Sequence, residues 1–329
     1  GARELRGRPR SVTGGVPWRI VFLSHDVKKA IGGVRTLYAH ATALRRAGFD
    51  AVVAQGDTTY RPDWFPADVP VVAIDALATL GPADAVVLPE DLGSLPDRSR
   101  IGAARPVVFC QNHFYAVAAL GEAGDWVRAG IRVVCGGTAI RDFLAAHYGW
   151  RDLPVIPYAI DPMLFRPRAK EPTVVFMPRK RPVEATLIRT LFRRKFPHHA
   201  DIAIVPIEGQ SEQRTAELLG RAAVFLSLSR LEGFGLPPVE AMAAEAVVVG
   251  FHGEGGREYA TTDNGVWVAD GAIAACVSAL GELCDRLKAD DPSIRAMRAA
   301  GRRTAAAYSP AARDAALLAF WRSMAPPAS

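Results

Sequence analysis

The sequence predicts an α/β protein made of two domains, each a parallel sheet wound with helices. Three observations carry this expectation. The chain has 329 residues, and at about 150 residues per domain that length suggests two. Short apolar runs alternate with amphipathic segments of helical length, the pattern of consecutive βαβ units. The runs are apolar throughout, as strands covered on both faces are. Hydrophobic residues make up 50% and charged residues 22% of the chain. That is ordinary for a globular protein with a sizeable core, and it excludes disordered, collagen-like and coiled-coil classes.

Each element can be justified in order. Residues 1–15 are rich in Arg, Gly and Pro without periodicity and read as a flexible basic arm. The N-terminal domain (16–160) opens with Ile20-Val21-Phe22-Leu23 as a buried strand. A loop with Gly32-Gly33 leads into a helix from about Val34 to Ala47. Gly48 follows it, where a left-handed cap is cheapest for glycine. Ala51–Ala54, Val71–Ile74, Ala85–Leu88, Val107–Cys110, Arg132–Cys135 and Leu153–Ile156 read as further strands, with a helix over Thr138–His147. The proline-rich stretch Tyr158–Pro172 reads as a linker.

The second domain (161–309) repeats the alternation. Thr173–Phe176 is a strand, Val183–Phe196 a helix, Ile202–Pro206 a strand, Ser211–Arg221 a helix and Ala223–Ser227 a strand. A helix from about Pro238 and a strand at Val247–Gly250 follow. The Ala-rich tail from Ile273 to Met324 is helical and punctuated by Pro292 and Pro310; its last part, 310–329, is expected to cross back onto the N-terminal domain. In open parallel sheets ligands bind outside the carboxyl ends of the strands, so chemistry is expected in a cleft between the domains.

Composition narrows the function classes. Forty basic against thirty-four acidic side chains leave a net charge of +6. This surplus suits handling of phosphates or nearness to an anionic membrane, and it is far from the charge density of a nucleic-acid binder. No apolar run reaches the roughly 18 residues of a membrane span, so a soluble, cytoplasmic protein is expected, with peripheral contact at the inner membrane face left open. Cys110, Cys135, Cys276 and Cys284 form no CxxC pair. They read as small buried hydrophobes in a reducing compartment.

The most informative stretch runs from Ser227 to Ala243 and contains Glu232-Gly-Phe-Gly-Leu-Pro-Pro-Val-Glu240. It reads as a strand end, a glycine loop and a helix opened by Pro237-Pro238, since proline is tolerated in a first helical turn. The N–H groups around Gly235 and Leu236 then point out of a helix N-terminus, a ready anion site. Gly233 and Gly235 let a ligand approach the backbone closely. Glu232 and Glu240 flank this anion site and suit hydroxyl groups. Phosphates in the middle with hydroxyls at both ends describe a nucleotide sugar.

This segment resembles the E-x7-E signature of GT-B-fold retaining glycosyltransferases, in particular glycosyltransferase family 4 (glycosyl transferases group 1), whose usual form is EGFGL-x-x-x-E-A-M-A. The resemblance implies that Glu232 contacts the transferred sugar and Glu240 the ribose, with Gly233, Phe234, Gly235 and Leu236 as the donor loop. Gly32-Gly33-Val34 and the following helix are similar to the family's N-terminal glycine loop, which faces the donor phosphates and the acceptor. Val155–Asp161 resembles its IPNGVD interdomain segment, and His252–Tyr259 with Asn264-Gly265 the region after the signature. The resemblance covers most of the chain from Trp18 to Met324.

Met177-Pro178-Arg179-Lys180-Arg181-Pro182 falls at a strand end where the family carries Gly-Arg-Leu and, later, a Lys, which together clamp the donor diphosphate. Here Pro178 replaces the Gly and the basic residues are contiguous. Arg179 aligns, whereas Lys180 and Arg181 compete for the lysine role. Arg189, Arg193, Arg194 and Lys195 read as a solvated helix face, with lipid phosphate as the alternative. Val107–His113 is a strand ending in polar side chains, and the resemblance places His113 near the transferred sugar; His25 and Asp26 end the first strand similarly. No DxD motif stands at a strand end, so no metal is expected.

The resemblance implies a metal-independent retaining glycosyltransferase with no cofactor. Its co-substrate is a UDP-, GDP- or dTDP-sugar carrying a hexose or deoxyhexose, and Glu232, His113, Arg179 and Lys180 are the expected catalytic residues. The contiguous Pro-Arg-Lys-Arg-Pro is similar to bacterial polysaccharide rhamnosyltransferases, which favours dTDP. A polysaccharide, lipid-linked or natural-product acceptor is expected, nucleic acid is not, and the oligomeric state is left open. The alternatives are a non-catalytic GT-B partner protein and a nucleotide-sugar 2-epimerase of the same fold. A dehydrogenase is disfavoured because neither half has G-x-G-x-x-G after its first strand.

Overall fold

The computed structural model describes residues 18–25, 31–66, 68–92 and 98–326. The arm at 1–15 and Asp26 lie outside them. The chain divides into two compact units, one formed by the chain up to Pro157 with Arg313 onward, the other by Tyr158–Ala312. Among the described residues no helix is long and apolar enough to cross a membrane.

The first unit is a parallel sheet of β1 (Arg19–Leu23), β2 (Asp50–Gln55), β3 (Val71–Ala73), β4 (Ala85–Pro89), β5 (Arg105–Cys110) and β6 (Arg132–Cys135), in the order β3-β2-β1-β4-β5-β6. Successive strand residues point to opposite faces, and the core divides accordingly. Ile20 and Phe22 pack into one cluster with helix α1 (Gly32–Arg46), whereas Val21 and Leu23 pack into another with α2 (His113–Leu120) and α3 (Thr138–Tyr148). All four cysteines are buried thiols, as small hydrophobes would be.

Two expectations need correction here. Gly32 and Gly33 form the first turn of α1, with Ile31 in extended backbone as its N-cap, and are not a loop before it. Leu153–Ile156 is no strand: containing Pro154 and followed by Pro157, it makes a single bridge, Val155 with Cys135. Proline's missing N–H prevents a longer ladder.

The return helix α9 (Pro310–Ser323) completes this unit. It buries Leu317, Phe320 and Trp321. The Trp321 ring lies 5.8 Å from Trp18 and 6.3 Å from Phe22. Arg105 stands 5.0 Å above the Trp18 ring and donates to the Met324 carbonyl at 2.5 Å.

The second unit holds β7 (Glu171–Phe176), β8 (Ala203–Pro206), β9 (Ala222–Glu232), β10 (Val247–Glu254) and β11 (Gly265–Trp267), all parallel, in the order β11-β10-β9-β7-β8. Helices α4 (Pro182–Lys195), α5 (Glu212–Arg221), α6 (Leu236–Ala243), α7 (Ile273–Lys288) and α8 (Pro292–Ala307) cover its faces. Pro182, Pro292 and Pro310 each open a helix, where the lost N–H costs nothing.

The expected linker is anchored to this unit. Tyr158, Ile160 and Phe165 are buried in its core, and the Ile160 N–H donates to the Tyr308 carbonyl at 2.8 Å. Strand β9 runs well past the expected Ser227, because β10 continues beside it until Glu254 faces Glu232.

Candidate functional site

The strand order of the second unit reverses between β7 and β9, with β8 on one side and β10 and β11 on the other. A crevice at the carboxyl ends of such a strand pair is where open α/β sheets bind ligands. The segments leaving these two strands are Pro178–Arg181 and Glu232–Leu236, the two that the sequence singled out.

After β7 the chain makes a tight turn in which the Arg181 N–H donates to the Pro178 carbonyl at 2.8 Å, with Arg179 and Lys180 at its corners. The three basic side chains diverge. Arg179 is exposed and makes no hydrogen bond or ion pair with any described residue. Lys180 reaches the end of β9, where its Nζ lies 2.8 Å from Glu232 Oε2 and donates to the Arg230 carbonyl at 3.2 Å. Both members of this pair are about one-fifth exposed, at 19% and 23%.

Arg181, the other candidate for the family's lysine role, turns inward. Its guanidinium is buried over the Phe251 ring at 4.8 Å and bonds Glu184, Asp270 and the Ser229 carbonyl. With each nitrogen engaged, Arg181 holds β9, α4 and the segment after β11 together. Of these two, it is Lys180 that reaches Glu232 at the start of the loop.

The loop after β9 is fixed by its backbone. Gly235 has φ +86°, and its carbonyl accepts the Tyr259 hydroxyl at 2.8 Å. Helix α6 starts at Leu236, before the expected Pro238, with Gly235 as N-cap. Prolines at 237 and 238 remove two of the N–H groups that a first helical turn leaves open. The amides of Gly235 and Leu236 remain as donors to an anion. Gly255 backs the loop so closely that a Cβ there would lie 2.3 Å from the Gly233 carbonyl.

Phe234 is a core residue. Its ring stacks on Tyr158 at 4.8 Å and meets Tyr259 and Tyr308 edge-on at 5.1 and 4.8 Å. Within the expected donor loop it offers a ligand only backbone. Glu240 is buried on α6. Tyr259, which the sequence did not single out, is buried, and burial raises its hydroxyl well above the usual tyrosine range, so it stays a hydrogen-bond donor.

In the first unit the strand order reverses between β1 and β4. His25, just after β1, meets Asp91, just after β4, through Nε2 at 2.9 Å. His113 starts helix α2 instead of ending a strand, because Asn112 caps that helix by accepting the Phe114 N–H at 3.0 Å. Its ring is buried between Phe114 at 4.2 Å and Phe143 at 4.3 Å, and Nδ1 has no hydrogen-bond partner. Burial, then the nearby His147, lowers its pKa to about 4, so the ring is neutral at neutral pH.

Glu90 went unmarked in the sequence. It is buried beneath the turn leading to His113 and accepts the Gln111 N–H at 3.1 Å. Burial raises its pKa to about 7. Gln111 in turn donates to the Gly33 carbonyl at 3.2 Å, tying α1 to this turn.

Comparison with known proteins agrees with this geometry. The family of glycosyl transferases group 1 matches residues 203–304, from β8 into α8. The chain is 24% identical over 241 residues to an alpha-1,6-glucosyltransferase of Actinobacillus pleuropneumoniae serotype 7 (strain AP76), covering 70% of this chain and 73% of that protein. Among solved structures, Anabaena Alr3699/HepE in complex with UDP and glucose is similar with a TM-score of 0.70 and 15% identity, over 93% of this chain and 99% of that one. Sucrose-phosphate synthase (tll1590) from Thermosynechococcus elongatus gives 0.67 and 15% over the same shares. Residues 203–304 are thus a glycosyl transferases group 1 domain, carried by a chain of two Rossmann-like units with the GT-B fold.

Proposed function

We propose that this protein is a retaining glycosyltransferase that moves a hexose from a nucleoside diphosphate sugar to an acceptor hydroxyl. The observation that carries the reading is the Lys180–Glu232 pair, 2.8 Å apart, beside an uncommitted Arg179 and the amides of Gly235 and Leu236. Positive charge and oriented N–H groups suit a diphosphate, and a carboxylate at their edge suits a sugar hydroxyl.

In this reaction the bond from the sugar's C1 to the β-phosphate oxygen breaks, and a bond from C1 to the acceptor oxygen forms on the same face. The acceptor proton passes to the departing phosphate. Negative charge grows on that phosphate as it leaves. In this reading Arg179, Lys180 and the two amides stabilise it electrostatically. Glu232 orients the sugar through its hydroxyls, and Glu240 accepts hydrogen bonds from the ribose. No cofactor takes part, since the donor is a co-substrate. His113, neutral at working pH, contributes a hydrogen bond and no charge.

The names of the similar proteins support a UDP-glucose donor and a sugar acceptor as the first pair to test. Calorimetric titration with UDP, GDP, dTDP and ADP should give one nucleotide that binds clearly more tightly than the rest. The matching sugar nucleotide should then release nucleoside diphosphate, slowly alone and faster with a glycan acceptor. Absence of both binding and release across this panel would overturn the reading.

A further inference from the structure

A second cluster lies away from the donor loop in the same unit, where the chain enters the amino end of the edge strand β8. The turn Pro197–His199 follows α4, and the last turn of α7 carries Asp285. His198 Nε2 lies 3.0 Å and His199 Nε2 2.9 Å from Asp285 Oδ1. One ligand atom from each of the three residues lies within 4.8 Å of the other two. No residue of the donor loop takes part.

His199 is the informative member. It is completely buried, yet neither of its ring nitrogens makes a hydrogen bond. Its Nε2 is near the Asp285 carboxylate but out of line for donating a proton to it. A buried imidazole without hydrogen bonds carries an uncompensated desolvation cost. A cation bound to the Nε2 lone pair would remove the share of it that falls on that nitrogen.

The surroundings hold the ring for that purpose. It stacks on Phe192 at 5.9 Å, the two ring planes nearly parallel at 8°. Arg193 donates to the His199 carbonyl at 2.8 Å, and Lys288 to the His198 carbonyl at 3.0 Å and to Asp201 at 2.7 Å. His198 and Asp285 are half exposed, leaving room for solvent to complete a coordination sphere.

We propose that His198, His199 and Asp285 bind a borderline divalent transition metal of the zinc type, pinning the α4–β8 turn to α7. Two imidazole nitrogens and one carboxylate suit Zn2+ or Co2+ and disfavour Mg2+ and Ca2+, which take oxygen ligands. Tetrahedral bonds of about 2.0–2.2 Å place ligand atoms roughly 3.3–3.6 Å apart, so metal uptake must widen the two histidine–carboxylate spacings by a few tenths of an ångström.

The test uses the full chain without a histidine tag. Titration with Co2+ should give a tetrahedral visible spectrum saturating at one equivalent, displaced by Zn2+ and not by Mg2+. His198→Ala and Asp285→Asn change half-exposed side chains that the fold does not depend on. Each should weaken Zn2+ binding in equilibrium dialysis at least tenfold while leaving nucleotide binding unchanged. Failure of the wild-type chain to take up one equivalent, or uptake equally tight in both variants, would overturn the proposal.

Discussion

The Lys180 ammonium and the Glu232 carboxylate lie 2.8 Å apart although 52 positions separate them in sequence. They meet because β7 and β9 are adjacent parallel strands, so the segments leaving their carboxyl ends converge. Each side chain is partly exposed, and the pair contributes at most about 1 kcal/mol to stability. Its value lies in placing an acid and a base at one edge of the donor loop.

Replacing Glu232 by Ala should therefore spare the fold and the binding of free nucleotide. It should lower transfer by about 10²-fold or more, the cost of removing one positioned electrostatic group. Parallel calorimetry with nucleoside diphosphate and turnover with the sugar nucleotide check this. An active Glu232→Ala variant would count heavily against the proposed mechanism.

Arg179 and Arg181 should separate cleanly. Arg179→Ala removes an exposed, uncommitted guanidinium, so thermal stability should hold while diphosphate affinity falls by about 1–3 kcal/mol, the worth of a hydrogen bond to a charged group. Arg181→Ala leaves Asp270, Glu184 and the Ser229 carbonyl without their partner. It should destabilise the second unit by about 2–3 kcal/mol, less than a fully buried pair because Asp270 is half exposed. Thermal melts and titrations on both variants distinguish a ligand contact from a brace.

Gly235→Ala should damage the loop through backbone and contact together. A φ of +86° costs an alanine about 1–2 kcal/mol, and the new Cβ would stand 3.0 Å from the Tyr259 hydroxyl. Tyr259→Phe removes the hydroxyl bonded to Gly235 and leaves the glycine free to keep its conformation. Its loss of nucleotide affinity should be the smaller of the two.

Glu90 gives the first unit a pH dependence with a definite sign. The folded chain holds a proton at Glu90 up to about pH 7, whereas the unfolded chain releases it near 4.5. Folding stability from this group is therefore full below pH 4.5 and declines as pH rises toward 7. The span corresponds to at most about 3 kcal/mol. Glu90→Gln keeps an acceptor for the Gln111 N–H and should melt higher than wild type at pH 8, with the difference vanishing near pH 4.5. Parallel melting curves across that range check it.

Local pattern made much of the architecture legible. The apolar runs around Phe22, Val87, Val134 and Val224 read as buried strands and are strands, and the punctuation at Pro292 and Pro310 falls at helix starts. The Glu232–Glu240 spacing was legible because the loop and α6 are contiguous. What escaped depended on partners far along the chain. Arg181 looked equivalent to Lys180 until Asp270, 89 residues away, drew it inward. The fate of His113 was set by Phe143, and the importance of Glu90 by its burial under Gln111, neither of which a strand-end motif encodes.

The return of α9 to the first unit imposes an order on synthesis. Leu317, Phe320 and Trp321 pack in one cluster with Trp18 and Phe22, yet the ribosome makes them only after the whole second unit has been translated. The nascent first half must wait with that apolar trough uncovered, in the period when growing chains are most prone to associate. Its interior is sealed last, by residues translated some 300 codons after the strand they cover.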